Sequence, residues 1–178
     1  VPLTTESFNP PAETRTESAF VCGVDLGTTY AEFCIVAAGR DQFPAFAMFR
    51  TASGRASTVE GARDVGQRAI ERLEPWLPTI SVMRFEDPIG AFVGSVKKIS
   101  RVQGAVAGRI PDTIALDAIM PGEWKKLCGL KGNANSAAYT AWASECLGLS
   151  EPLQENQAAA YGIACSILVD SNRTDGED

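Results

Sequence analysis

Apolar positions along the chain fall into two kinds of block. Some are short runs rich in β-branched and aromatic residues, and others are longer segments in which apolar residues recur every three or four positions. Phe20 to Asp25 reads as a buried apolar strand ending at Gly27. After a tight Leu26-Gly27-Thr28-Thr29 turn, Tyr30 to Ala37 reads as a second strand. Beyond a turn at Gly39-Arg40-Asp41, Phe43 to Arg50 alternates as a third. From Thr58 to Trp76, Val59, Ala62, Val65, Ala69, Ile70 and Leu73 keep the spacing of an amphipathic helix, ended by Pro75 and Pro78. Thr79 to Phe85 is a β-branched strand stopped by Glu86-Asp87-Pro88. Phe92 to Ile110 is helical up to Pro111, and Thr113 to Met120 is strand-like. Two Ala-rich helices, Ala134 to Leu147 and Glu155 to Val169, complete the pattern, with Gly148 and Pro152 between them. The order βββαβαβαα, without internal repeats, predicts an α/β fold in which a mixed sheet is flanked by helices.

The 178 residues suit one domain. Residues 1–18 are polar and Pro-containing and read as a loose tail, and the polar stretch from Asp170 to Asp178 reads as frayed. The expected domain therefore spans 19–170, with flexible segments at 1–18 and 171–178. No apolar stretch approaches the roughly 20 residues of a membrane span, so no membrane partner is expected. The chain contains no histidine, which removes Ser-His-Asp and Cys-His catalysis, His-ligated zinc and imidazole acid/base chemistry together. An enzyme built from this chain must use carboxylates, Lys, Cys or a metal held by oxygen. The five cysteines include no CxxC pair, and most sit in apolar stretches, as expected of reduced thiols in an intracellular compartment.

The net charge of −6 is unevenly spread. Residues 84–131 hold eight Lys and Arg against five Asp and Glu, among them Lys97, Lys98, Arg101, Arg109, Lys125, Lys126 and Lys131. Such a block is either a phosphate-binding face on an acidic protein or a solvated helix face.

Three positions can carry chemistry. Asp25 stands where the first strand meets its turn, between Gly23 and Gly27. It can hold a metal at the sheet edge or cap the turn. Glu86 repeats the arrangement at the end of the fourth strand, either as a second ligand or as an exposed strand terminus. If that strand lies beside the first, both carboxylates project from one edge. The last helix opens with Glu155 and Asn156, oxygen donors at the N-terminal end of an apolar packing helix, where a Glu is also favoured by the helix dipole alone.

These residues carry a resemblance. VCGVDLG at 21–27, FEDP at 85–88, MPGEWKKLCGLK at 120–131 and ENQAAAYGIA at 155–164 occur in the order and spacing of the RuvC-like Holliday junction resolvases, in the short form typical of phage proteins. The resemblance covers nearly all of the chain beyond residue 18. It implies an RNase H-like sheet, with parallel strands after the three antiparallel ones, and a homodimer that makes paired cuts in four-way or other branched DNA during recombination and repair. It also implies two Mg²⁺ or Mn²⁺ ions per site, no nucleotide cofactor, and a cytoplasm with access to DNA, in a bacterium or a phage-infected host. By position, Asp25 and Glu86 resemble metal ligands, and Glu155 or Asn156 resembles the first ligand of the last helix. Ala159 stands where the family places an Asp, so at most three carboxylates remain and metal binding should be weak. Asn133-Ala134-Asn135-Ser136 stands where many relatives carry a Lys, a role that is either taken by Lys131 or absent. Lys97, Lys98, Arg101, Lys125, Lys126 and Lys131 are the expected contacts to DNA, Trp124 is expected in the core, and the helix around Phe92 to Ile110 is the expected dimer interface. A junction-binding protein of this fold that has lost its chemistry fits the same residues. GVDLGTTY at 23–30 also resembles the phosphate motif of the actin and Hsp70 ATPases, whose second lobe a chain of this length lacks.

Overall fold

The structure is a computed structural model that describes residues 20–37, 44–53, 58–88 and 93–174. Strands β1 (Phe20–Leu26), β2 (Tyr30–Ala37) and β3 (Ala45–Ala52) form an antiparallel meander. Strands β4 (Ile80–Glu86) and β5 (Ala115–Ile119) join the other side of β1 in parallel, giving the order β3-β2-β1-β4-β5. This is the mixed sheet that the order of elements predicts. The helices are α1 (Val59–Leu73), α2 (Val93–Ala107), α3 (Pro121–Leu127), α4 (Ser136–Cys146) and α5 (Glu155–Thr174).

Side chains alternate across a strand, so the sheet builds two cores. Phe20, Cys22, Val24 and Leu26 of β1 pack with Ala62, Val65 and Ala69 of α1 and Val102 and Val106 of α2. Val21, Cys34 and Val36 pack on the opposite face with Trp124 of α3, Tyr139 of α4 and the Ala-rich side of α5. In each core a glycine lets two backbones touch. A Cβ on Gly23 would overlap the carbonyl oxygen of Ala160 and the nitrogen of Ala164, so β1 and α5 touch backbone to backbone there. A Cβ on Gly66 would likewise strike the Ala105 carbonyl, where α1 crosses α2.

The structure departs from the sequence pattern in three places. Helix α3 lies between two predicted elements. Its signal was Pro121 at the first helical position, with Glu123 reaching back to the Met120 N–H at 3.4 Å. Strand β3 runs two residues beyond Arg50, because β2 holds it as far as Tyr30↔Ala52. Helix α5 continues past residue 170 to Thr174. The polar residues at its end are anchored, since Asp170 pairs with Arg84 at 2.7 Å and the Ser171 hydroxyl donates to the Ile167 carbonyl. The turn at Gly39-Arg40-Asp41, the start of the predicted third strand at Phe43, the helix start at Phe92 and the tail 1–18 lie outside the described residues. Among the described residues no helix is long and apolar enough to cross a membrane.

Candidate functional site

Strand register assembles the site. Arg50 on β3 pairs with Glu32 on β2, Glu32 pairs with Asp25 on β1, and Val24 opposite Phe85 brings Glu86 of β4 alongside Asp25. Alternation turns all four toward α5, giving one rung of charge across the sheet. Asp25 and Glu86 end adjacent parallel strands, the edge at which open α/β sheets seat ligands.

Helix α5 closes the rung from above. Ala160 and Ala164 face β1 at Gly23, so the residue one turn before Ala160, Asn156, faces β1 as well. Its amide bridges three groups: the NH₂ donates to Asp25 Oδ2 at 3.2 Å and to the Tyr30 hydroxyl at 3.0 Å, and the oxygen accepts from Arg50 Nη2 at 2.7 Å. Of the two candidates for the first helix position, Asn156 is thus the one that meets Asp25. Glu155 is turned aside and exposed, accepting from the Tyr139 hydroxyl at 2.8 Å. Ala159 is buried, 6% exposed, in the core beneath α5.

The electrostatics follow from burial. Asp25 is 7% exposed. Desolvation, reinforced by the Glu86 and Glu32 carboxylates, pushes its carboxyl up to about 7 against the hydrogen bond from Tyr30 and the charge of Arg50. Burial raises Glu86 as well, opposed by the Trp124 indole, which donates to Glu86 Oε1 at 2.7 Å, and by the charge of Lys125. Glu32 is 2% exposed and is raised by burial while Arg50 Nε pairs with it at 2.7 Å. Glu32, Arg50, Tyr30 and the indole of Trp124 were not singled out from the sequence. The available signal was a Glu two residues after Tyr30 inside an otherwise apolar strand, YAEFCIVA, where a lone charge calls for a buried partner.

The carboxylates of Asp25 and Glu86 suit one hard cation such as Mg²⁺ or Mn²⁺, which commonly uses one or two protein carboxylates and takes its remaining ligands from water and phosphate. The uncompensated charge that raises Asp25 is what such a cation would relieve. The set Asp25, Glu86 and Glu155 does not gather. Among the described residues no three acids come together as a metal cage, because α5 turns Asn156 inward and leaves Glu155 with Tyr139.

The basic block divides between two layers. Lys97, Lys98 and Arg101 lie on α2, which packs on α1, whereas Lys125 and Lys126 lie on α3 across the sheet. Lys125 serves the interior, donating to the Ala134 carbonyl at 3.0 Å and lying 5.0 Å from the Tyr139 ring centroid. Lys126 and Lys131 are exposed. Trp124 is in the core, 1% exposed.

No protein-family model matches the sequence, and no curated protein does. The fold is similar to that of Thermus thermophilus RuvC, with a TM-score of 0.75 and 18% identity over 87% of this chain and 96% of that one. Against the T. thermophilus RuvC structure in complex with a Holliday junction substrate the TM-score is 0.72 and the identity 18%, over 86% and 95% of the two chains. The yeast mitochondrial Holliday junction resolvase Ydc2 gives a TM-score of 0.54 at 12% identity, over 89% and 85%. The chain therefore has the RNase H-like fold in the form found in the RuvC-like Holliday junction resolvases.

Proposed function

We propose that this chain binds branched DNA, four-way junctions foremost, and cuts it as a cation-dependent endonuclease. The observation that carries the reading is the pair of buried Asp25 and half-buried Glu86, side by side at the carboxyl ends of parallel strands. Support comes from the similarity to T. thermophilus RuvC along almost its full length, including its complex with a Holliday junction substrate. A bound Mg²⁺ or Mn²⁺ supplies polarisation of the phosphodiester. The chain's own residues prepare its place: Asn156 and Tyr30 orient Asp25, and the Trp124 indole fixes one oxygen of Glu86. Helix α5 turns an amide and not an acid toward Asp25, so the site is read as holding one cation rather than the two that the resemblance implies. In the proposed homodimer, two copies meet through α2, whose first residue, Val93, is 67% exposed, and set two sites on opposite arms of a junction. Five cysteines, all free thiols, suit an intracellular reducing compartment with access to DNA.

Labelled four-way junction and linear duplex, each with Mg²⁺, Mn²⁺ or no metal, test the reading. Junction cleavage that needs the cation is expected, and equal cutting of both substrates would reject junction selectivity. A second reading, junction binding without cleavage, is favoured by Asn156 and Ala159 at the two helix positions where acids are expected. Ala159 lies one turn beyond Asn156, so Ala159→Asp adds a carboxylate toward the same edge. This variant is expected to raise Mn²⁺-dependent cleavage at least tenfold, an order-of-magnitude figure for one added cation ligand. No gain in a variant that folds and binds junctions would show that α5 does not complete the site.

The α2 lysines make a separate prediction. Replacing Lys97, Lys98 and Arg101 together with Ala should weaken junction binding and flatten its dependence on log salt by up to about 3. Unchanged affinity and slope in filter binding at two salt concentrations would place the DNA elsewhere.

A further inference from the structure

Arg50 does more than neutralise Glu32. Its guanidinium is held at three points: Nε on Glu32 at 2.7 Å, Nη2 on the Asn156 oxygen at 2.7 Å, and its plane over the Tyr30 ring at 4.5 Å from the centroid. Two of these partners, Asn156 and Tyr30, also bond Asp25, so the guanidinium stands one side chain away from the candidate cation ligand. A cation used only to quench Glu32 could be fully buried with it. Arg50 instead keeps 38% of its side chain exposed while Glu32 is 2% exposed, and its Nη1 end has no acceptor among the described residues.

The position also explains the helix. On the side of Asp25 where an acid at position 156 or 159 would add negative charge, this chain has an amide and a methyl group, and a fixed positive charge sits against the amide. A guanidinium fork suits phosphate oxygens, and one locked in advance costs no reorganisation when a phosphate arrives. We propose that Arg50 is a catalytic residue that contacts the DNA phosphate at the site, a fixed cation in the place of a second divalent ion. This rests on the branched-DNA reading above.

The test is the affinity of a four-way junction in EDTA, where no divalent cation contributes. The double variant Glu32→Gln/Arg50→Gln removes one charge of each sign and leaves the net charge unchanged. It is expected to bind at least tenfold more weakly than the parent, with a log-salt slope shallower by about 1. Glu32→Gln alone, which keeps Arg50, is the reference for loss of the guanidinium, and the double variant is expected to bind at least tenfold more weakly than this reference as well. Parent-like affinity and slope in the double variant overturn the proposal. If the double variant does not fold, Arg50→Lys is measured instead. It keeps a cation against Glu32 but loses the fork, and a threefold or greater weakening is expected, whereas parent-like binding overturns the role. Calorimetry with Mn²⁺ and no DNA should give one ion per parent chain, and two ions overturn the replacement of a second cation. A parent that binds no junction at all fails the branched-DNA reading and this proposal with it. A parent that binds but is indifferent to the loss of Arg50 fails the proposal alone.

Discussion

Asp25→Asn should abolish cation-dependent cleavage and at the same time raise the melting temperature of the metal-free protein by about 5 °C at pH 8, an order-of-magnitude figure for a domain of this size. The two effects have one cause. The Asp25 carboxyl is buried beside Glu86 and Glu32, and its value is pushed from the usual 3.8 to about 7. An acid raised in the folded state supports the fold fully while it is protonated, below about pH 4, and that support is lost as the pH climbs toward 7. A carboxyl moved this far withholds at most about 4 kcal/mol at alkaline pH, and the aqueous edge of the site reduces that figure. Asparagine keeps an oxygen for Tyr30 and Asn156 but has no charge to desolvate. Metal-free parent protein should therefore lose stability between pH 4 and 8, the variant much less, and millimolar Mn²⁺ should restore the parent only. Junction binding, which rests on basic residues, should survive. Equal Mn²⁺ affinity in parent and variant would show that Asp25 is not a ligand.

Gly23→Val should be the most damaging single change in the interior. A Cβ at this position meets backbone atoms of Ala160 and Ala164, which cannot swing away as a flexible side-chain tip could. Overpacking of an interior typically costs about 1 to 3 kcal/mol, and a clash with a helix backbone belongs at or above the top of that range. Because α5 is displaced as a rod, the variant should lose the contact of Asn156 with Asp25 along with its stability. A urea midpoint equal to that of the parent would mean that α5 does not seat on β1.

Much of this organisation was legible in the chain. Strand runs and helix spacing put Asp25 and Glu86 at the ends of their strands, and the resemblance carried by the four motifs implied one shared site for them. What escaped was fixed by register and rotation. Glu32 and Arg50 are 18 residues apart and share a rung only because β1, β2 and β3 pair as they do. No local pattern states that pairing. Glu155 and Asn156 differ by about 100° around α5, and the choice between them follows from the contact of Ala160 and Ala164 with Gly23. The basic residues from Lys97 to Lys131 form one block in sequence but two layers in space, because β5 passes between α2 and α3 in the chain.

Arg84 sets an order of events during synthesis. It is buried on β4, and its acceptors are Asp117, 33 residues later, and Ser166 and Asp170, 82 and 86 residues later. A ribosome making this chain at about 5 to 20 residues per second leaves that guanidinium waiting several seconds for its last partners. During that interval the meander and β4 can cover one sheet face with α1 and α2. The other face has a cation at its centre and no lid, so its apolar strands cannot close over Arg84 without leaving an unpaired charge inside. The half of the protein that carries Asp25 is therefore completed last, when α5 arrives with Asn156 near one end and Asp170 near the other.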